Sequence, residues 1–264
     1  MELYARIIGE GPPIVLLHGL FGSNENLGGV ARALGDRYTV YGLDLRNHGR
    51  SPQAESMDYS SMAADVNETL DHHGLDEAIF IGHSMGGKTA MELALSTPNR
   101  VAALIVVDIA PIAYDRRHDQ ELDALQGLDP SDIRSRGEAD ATLAERIPSA
   151  AVRQFLLKNL IREGKGFAWR IPLETIYRQY DRIAAAPSAK GPYNGPTLFI
   201  RGGNSDYLPT AAEATVNERF PRATIVTLAN LGHWPHAESP HEFVHAITGF
   251  LDALRTSEPR TPSR

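Results

Sequence analysis

The sequence contains no cysteine among its 264 residues. This absence excludes a disulfide framework, a thiolate zinc site and a cysteine nucleophile, and it leaves the cellular compartment open. Long apolar runs are also missing, because no stretch approaches the roughly 18 consecutive apolar residues that a membrane-spanning helix requires. We therefore expect no membrane partner.

An excess of basic residues is absent as well. The chain has 26 Lys and Arg against 33 Asp and Glu, a formal net charge of −7. Because binding to nucleic-acid phosphates needs a basic surface, this charge argues against a nucleic-acid partner. Hydrophobic residues make up 42% of the chain and charged residues 22%, which is typical of a globular protein. At about 150 residues per domain, the length predicts one or two domains.

The two ends of the chain carry further expectations. The first residues, MELYARIIGEGPP, include charges and lack the apolar segment of a secretory signal, so we expect a cytoplasmic protein. At the other end, residues 257–264 are rich in Ser, Pro and Arg, which predicts a flexible tail.

Short apolar runs alternate with amphipathic stretches along most of the chain, a pattern typical of βα units on a mostly parallel sheet. The runs are rich in β-branched residues and show no polar alternation, as expected for strands covered on both faces. The predicted strands are 14–17, 38–41, 78–81, 104–107, 197–200 and 224–227, with 3–8 as an antiparallel edge strand. Apolar residues at helical spacing predict helices over 61–73, 89–95 and 243–254.

This alternation breaks between residues 111 and 194. The stretch has no strong strand, several charge-rich turns and a helix-like run over 151–161. We therefore predict a helical cap over residues 111–194, inserted into an α/β core formed by residues 1–110 and 195–256.

The strongest chemical signal is Gly82-His83-Ser84-Met85-Gly86, between a predicted strand and an Ala-rich helix. It matches G-x-S-x-G in the strand–turn–helix context that this motif requires. The sharp turn leaves no room for bulky neighbours, and the following helix places N–H groups and its positive dipole end beside the serine. The motif predicts Ser84 as a nucleophile.

A serine hydroxyl needs an adjacent base, and the base needs an acid that fixes its tautomer. His233 follows the last predicted strand, so its loop opens on the same sheet edge as the Ser84 turn. Asp108 ends the strand 104–107 and Asp206 follows the strand 197–200; either preserves the chain order serine, acid, histidine. The cost of an unpaired acid at the end of a buried strand favours Asp108, with Asp206 as the alternative acid.

Acyl transfer also needs N–H donors for the developing oxyanion. One is predicted at Met85, the residue after the nucleophile. The second is predicted in the loop 18–22 at Leu20, with Phe21 as the adjacent alternative. Two other polar residues are given structural roles. Lys88 is expected to contact its helix or the cap. His236 is expected to be exposed at a helix start, with a supporting position behind the site as the alternative.

Four motifs together resemble the α/β-hydrolase superfamily over nearly the whole chain. They are His18-Gly19, Asp44-x-Arg46-x-x-Gly49-x-Ser51, Gly82-x-Ser84-x-Gly86 and Gly232-His233. The longer segments 18–23, 44–49, 82–88 and 107–111 are similar to the YbfF-type bacterial esterases and to the mitochondrial abhydrolase-domain proteins that share the pattern. Each motif occurs across the superfamily, whereas their combination is specific.

The resemblance implies an α/β-hydrolase fold, with a mostly parallel eight-stranded sheet, helices on both faces and a helical cap. It implies that the acid follows the sixth strand, which corresponds to Asp108, although Asp206 stands where many other α/β hydrolases keep their acid. It also implies that residues 44–48 form a structural loop, in which Arg46 pairs with Asp44 or braces the oxyanion loop.

The predicted function is that of a serine carboxylesterase, which hydrolyses a small-molecule ester with a short or medium acyl chain through an acyl-enzyme. Side chains and backbone supply this chemistry, so we expect no metal and no organic cofactor. The charge-rich start of the cap, residues 115–121, favours the shorter chains. Carbon–carbon bond hydrolysis and thioester hydrolysis are alternatives with the same triad, and a non-catalytic ligand-binding protein is the alternative of another class.

Overall fold

The computed structural model describes residues 1–257. The strands are β1 (Ala5–Ile8), β2 (Pro13–Leu17), β3 (Thr39–Leu43), β4 (Ala78–His83), β5 (Val101–Val107), β6 (Leu160–Glu163), β7 (Gly166–Trp169), β8 (Thr197–Gly202) and β9 (Ala223–Leu228). The α-helices are α1 (Gly28–Leu34), α2 (Tyr59–His72), α3 (Met85–Ser96), α4 (Asp119–Gln126), α5 (Arg136–Ala144), α6 (Ala150–Leu156), α7 (Leu173–Arg178), α8 (Tyr180–Ala184), α9 (Glu213–Arg219), α10 (Pro235–Glu238) and α11 (Pro240–Ser257).

The main sheet has the strand order β1-β3-β2-β4-β5-β8-β9. β1 runs antiparallel to β3, and the other neighbouring strands are parallel. The predicted mostly parallel sheet of an α/β hydrolase is confirmed, and each predicted strand overlaps an observed one. Because the carboxyl ends of parallel strands lie at one edge, the loops after β2, β4, β5, β8 and β9 meet there.

The described main sheet has seven strands, whereas the resemblance implied eight. Two N–H groups ahead of β1 donate hydrogen bonds to side chains and do not pair with a further strand. The N–H of Leu3 donates to Thr69 Oγ1 at 3.0 Å, and that of Tyr4 donates to Ser51 Oγ at 2.8 Å. In residues 1–257 the antiparallel edge therefore consists of β1 alone.

Both faces of the sheet are covered, which explains the unbroken apolar runs. Successive side chains of a strand point to opposite faces. In β2, Val15 and Leu17 join the cluster formed with α2 and α3, whereas Ile14 and Leu16 join the cluster formed with α1 and α11. All four side chains are at most 1% exposed. None of these four positions faces water, and none of the four residues is polar.

Residues 111–194, here called the inserted segment, carry α4 to α8 between β5 and β8. We expected no strong strand in this segment; it contains two four-residue strands, β6 and β7, which form an antiparallel hairpin around Gly164, whose φ is +58°. The helix-like run over 151–161 ends early, since α6 stops at Leu156. Only Leu160 of β6 is fully buried, so no apolar run marks this strand in the sequence.

The apolar side chains of the inserted segment pack into the same cluster as the sheet face that carries α2 and α3. The division into a core of residues 1–110 and 195–256 and a cap of residues 111–194 stays a prediction. The predicted flexible tail starts at residue 257, where α11 ends, and its remaining residues lie outside the described part of the chain. None of the helices within residues 1–257 combines the length and the apolar character needed to cross a bilayer.

Candidate active site

A cavity of about 270 Å³ opens at the carboxyl edge of the sheet. Its floor contains Ser84 from the loop after β4 and His233 from the loop after β9, together with residues of the loop after β2. The inserted segment supplies the opposite wall through Val152 and Phe155. The predicted nucleophile and the predicted base therefore line one cavity.

Ser84 occupies a strained turn between β4 and α3. Its φ is 52° and its ψ is −117°, a conformation that costs a non-glycine residue of the order of 1–3 kcal/mol. The turn is held by a hydrogen bond from the Ser84 N–H to the carbonyl of Val107 at 3.1 Å. A Cβ on Gly82 would collide with the carbonyl of Gly86, and a Cβ on Gly86 with that of Leu17. The two glycines of the motif are thus required by close backbone approach.

The Ser84 side chain is 9% exposed and makes no hydrogen bond to any residue between 1 and 257. Its hydroxyl can be reoriented by rotation about a single side-chain bond. Catalytic hydrogen bonds are often long in the absence of substrate and tighten when substrate binds. A direct bond from the Ser84 hydroxyl to His233 stays a prediction.

Asp108 and His233 are joined by a hydrogen bond of 2.8 Å from imidazole Nδ1 to carboxylate Oδ2. Asp108 is fully buried and has a φ of 49°, so its backbone is strained like that of Ser84. Its carboxylate also accepts from the N–H of Gly202 at 2.8 Å and from the hydroxyl of Ser205. Because Nδ1 carries the proton that faces the carboxylate, Nε2 of His233 is left with a free lone pair in the neutral ring.

Asp206, the alternative acid, lies elsewhere. Its side chain is 78% exposed, and it pairs with Arg117 of the inserted segment at 2.7 Å. The structure thus brings Asp108 to His233 and leaves Asp206 at the surface. The assignment of Asp108 as the catalytic acid stays a prediction of function, now with this geometry behind it.

Tyr207 stacks on the imidazole of His233, with ring centroids 3.9 Å apart and planes inclined by 23°. Burial raises the pKa of the Tyr207 hydroxyl to about 12, so the ring remains neutral at physiological pH. Tyr207 and Asp108 therefore hold the ring from its face and from its edge.

The loop 18–22, which is predicted to supply one oxyanion donor and is here called the oxyanion loop, is held in place by histidine side chains. Phe21 has a φ of 62°, and its N–H donates to Nε2 of His48 at 3.1 Å. The Leu20 N–H has no hydrogen-bond partner within residues 1–257, so it can serve a ligand. Met85 is the first residue of α3, where a helix leaves its N–H groups without intrahelical partners. The geometry favours Leu20 over Phe21 as the second donor, and both oxyanion residues remain predictions.

His18 and His48 are neutral side chains that hold this loop through hydrogen bonds to backbone groups. His18 donates from Nδ1 to the carbonyl of Gly19 at 2.8 Å and accepts at Nε2 from the N–H of Leu45 at 3.0 Å. Burial lowers the pKa of His18 below its usual value and that of His48 to about 3. A neutral ring can accept a backbone N–H, which is the role that both rings have here.

His83 and His236 pack beside the base. His83 donates from Nε2 to the backbone carbonyl of His233 at 2.7 Å, and burial holds its pKa well below the usual range. The ring of His236 lies 4.7 Å from that of His83, and burial lowers the pKa of His236 to about 4. The expectation that His236 is exposed is wrong, because the short helix α10 turns its side chain inward and leaves it 9% exposed.

The loop after β3 is held by a different ion pair from the expected one. Arg46 pairs with Asp65 of α2 through two hydrogen bonds of 2.6 and 2.8 Å, and both residues are buried. Asp44 instead accepts from Asn24 and from the N–H of Arg50, so the expected Arg46–Asp44 pair is wrong. The carboxylate of Asp44 is already satisfied by neutral donors, whereas the buried Asp65 carboxylate takes Arg46 and the terminal amine of Met1 as charged partners.

Lys88 contacts the inserted segment, as predicted. Its Nζ donates to the carbonyls of Ala184 at 3.0 Å and Ala185 at 2.6 Å, where α8 ends. Burial lowers the pKa of Lys88 to about 7. The helix C-terminus carries partial negative charge and thus favours the charged amine.

Three contributors to the site were not identified from the sequence. Ser205 binds the acid, His83 holds the backbone of the base, and His48 orients the oxyanion loop. Their positions in the chain gave a signal for each, because His48 and Ser205 follow the carboxyl ends of parallel strands of the main sheet and His83 ends such a strand. Nothing in their spacing, however, indicated which atom each would contact.

A strained serine between a parallel strand and a helix, with an Asp–His pair on the neighbouring loops, is the arrangement that defines the α/β hydrolases with a serine nucleophile. The comparisons show the α/β-hydrolase family, without testing the nucleophile. Residues 12–240 match the family described as the alpha/beta hydrolase fold, and the chain belongs to this family.

Relatives match nearly the full chain. The esterase YbfF of Escherichia coli (strain K12) is 40% identical over 241 residues, covering 91% of this chain and 93% of the relative. The sn-1-specific diacylglycerol lipase ABHD11 of Mus musculus is 40% identical over 248 residues, covering 91% of this chain and 81% of the relative. Among solved structures, a marine microorganism esterase superposes with a TM-score of 0.92 at 39% identity, covering 94% and 99% of the two chains.

Proposed function

We propose that this chain is a serine carboxylesterase that hydrolyses short- to medium-chain acyl esters of small molecules through an acyl-enzyme. The observation that carries the proposal is the 2.8 Å hydrogen bond between buried Asp108 and His233, in the cavity that Ser84 also lines. The names of the relatives support ester hydrolysis, since one is called an esterase and another a diacylglycerol lipase.

In the acylation step, Nε2 of His233 takes the proton of the Ser84 hydroxyl as the oxygen attacks the acyl carbon. The N–H groups of Leu20 and Met85 stabilise the negative charge that develops on the carbonyl oxygen. Asp108 stabilises the imidazolium. His233 then gives its proton to the alcohol oxygen, the bond between that oxygen and the acyl carbon breaks, and the alcohol leaves.

In the deacylation step, His233 takes a proton from water, whose oxygen attacks the acyl carbon of the Ser84 ester. The same N–H groups stabilise the second tetrahedral intermediate. The bond to Ser84 breaks, the serine oxygen recovers a proton from His233, and the carboxylic acid leaves. These steps require Ser84, His233, Asp108 and two backbone donors.

A labelling and turnover experiment tests the proposal. The wild type and Ser84→Ala are treated with a fluorophosphonate probe and assayed on p-nitrophenyl esters from acetate to dodecanoate. We expect labelling and turnover of the shorter esters by the wild type alone. A folded wild type that is not labelled would indicate a ligand-binding protein. Labelling with turnover of a vinylogous diketone or a thioester, but not of oxygen esters, would indicate one of the other hydrolytic activities.

The cytoplasmic location also belongs to this proposal. Fractionation of the native host with an antibody to the chain tests it, and recovery in another fraction would contradict it.

A further inference from the structure

Ser84 borders two cavities of very different size. The larger has a volume of about 270 Å³, and the smaller one of about 30 Å³. Ser84 and Leu20 line both, whereas His233 lines only the larger and Met85 only the smaller. An ester bound at Ser84 has two substituents to place, one on each side of the bond that breaks.

The larger cavity has an apolar wall. The side chains of Phe21, Leu27, Val152, Phe155 and Trp234 line it. Trp234 directly follows His233, and its ring lies 6.3 Å from that of Phe155. This side of the site can therefore hold a bulky apolar group in contact with the base.

The smaller cavity is bounded in part by buried side chains and in part by the exposed residues Asp115 and Arg117. Ile109, Ile183 and Tyr59 line it, and each is at most 7% exposed. Lys88 also lines it, with its amine bonded to two carbonyls and 4.5 Å from the ring of Tyr114. Since one water-sized position takes about 10–15 Å³, this volume accepts two or three carbon atoms beyond the acyl carbon.

The proton transfer from His233 determines which cavity holds the alcohol group of the ester and which holds the acyl group. The proton that His233 removes from Ser84 must be delivered to the oxygen of the leaving alcohol, so that oxygen must lie beside His233. His233 faces the larger cavity and not the smaller one. The alcohol therefore begins in the larger cavity, and the small cavity beside Met85 is left for the acyl chain.

We propose that the small cavity bounded by Ile109 and Ile183 is the acyl site, and that the large cavity bounded by Phe155 and Trp234 is the alcohol site. The preferred substrates are then esters that join an acyl group of up to about four carbons to a larger apolar alcohol. This inference rests on the proposed function and narrows its substrate class. Acyl length is limited by Ile183, and alcohol preference depends on Phe155.

Two ester series separate the two sites in the wild type. In the first, benzyl alcohol is constant and the acyl group runs from acetyl to octanoyl. In the second, the acetyl group is constant and the alcohol runs through ethanol, hexanol, benzyl alcohol and 2-naphthylmethanol, which have comparable leaving-group strength. We expect kcat/KM to fall at least about tenfold between butyryl and octanoyl, and to rise with the size of the alcohol.

Matched variants test the assignment. Ile183→Ala should extend the accepted acyl chain without changing the alcohol series, whereas Phe155→Ala should lower the preference for large alcohols without changing the acyl series. Ile183→Phe should reduce butyryl turnover relative to acetyl, which provides a test should the alanine variant fail to fold. Neither position belongs to the proposed catalytic machinery.

The outcomes are distinguishable. Acyl tolerance that responds to Phe155→Ala and not to changes at Ile183 would overturn the inference while leaving the esterase intact. A wild type that prefers octanoyl over butyryl esters would do the same. Absence of both turnover and probe labelling at Ser84 would instead remove the proposed function itself.

Discussion

The imidazole of His83 donates a hydrogen bond of 2.7 Å from Nε2 to the backbone carbonyl of His233. The two rings also pack against each other, with centroids 4.8 Å apart. His83 precedes the proposed nucleophile, so one residue fixes the end of β4 and the backbone of the proposed base at once. A shift of either group changes the distance between Ser84 and His233.

Replacement of His83 tests this coupling. Phenylalanine retains the ring but cannot donate, so we expect kcat to fall about 10–100-fold with little change in KM. Glutamine can donate from its side-chain amide and should restore part of the rate. The measurement is steady-state kinetics on a short ester, with circular dichroism as the control for folding. Equal losses in both variants would assign His83 to packing alone.

Asp108→Asn should abolish most activity, because an amide no longer selects the imidazole tautomer with a proton on Nδ1. In serine proteases the equivalent change lowers kcat about 10⁴-fold. Asp206→Asn is the matched control, since Asp206 is 78% exposed and pairs with Arg117. We expect nearly normal kcat for this control. Loss of activity in Asp206→Asn alone would make Asp206 the acid.

The Arg46–Asp65 pair gives a prediction for stability. Arg46→Ala leaves the buried Asp65 carboxylate with only the terminal amine of Met1 as a charged partner. We expect the free energy of unfolding to fall by about 3 kcal/mol, measured by urea denaturation. Arg178→Ala removes an ion pair with Glu55 whose side chains are 54% and 85% exposed. This control should change stability little, because exposed pairs contribute little. Similar losses in both variants would contradict the assignment.

The lowered pKa of Lys88 predicts that the free energy of unfolding depends on pH. Its native pKa is about 7, whereas an unfolded lysine titrates near its usual 10.5. Between these values the unfolded chain binds more protons than the native one, so stability rises with pH through this window. The slope contributed by Lys88 reaches at most about 1.4 kcal/mol per pH unit.

Urea denaturation of the wild type and Lys88→Met between pH 6.5 and 9.5 isolates this contribution, because other groups titrate alike in both proteins. The difference in unfolding free energy, wild type minus variant, should increase with pH. A difference that stays constant over the window would show that the native amine keeps its charge throughout. Tyr59 and Tyr114 face the amine, and burial raises the pKa of both hydroxyls, so neither ionises in the native state in this range.

The sequence by itself determined the sheet and the position of the proposed nucleophile. Strands that are buried on both faces of the sheet, such as β2, have apolar runs without polar alternation. The turn at Ser84 requires glycines at fixed spacing. Such features are local along the chain, so they can be recognised from residues that are adjacent in the sequence. The hairpin β6–β7 was missed for the same reason, since a half-exposed strand has no comparable local pattern.

Only the tertiary structure decided which side chains meet. Asp108 and Asp206 both follow strand ends, but the loop after β8 turns Ser205 toward the buried carboxylate and Asp206 toward Arg117. Likewise, His236 became buried and Arg46 found Asp65 through contacts between residues far apart in the chain. Side-chain orientation depends on where loops close in space, and a hydrogen bond forms or fails over a fraction of an ångström. That precision is absent from residue spacing.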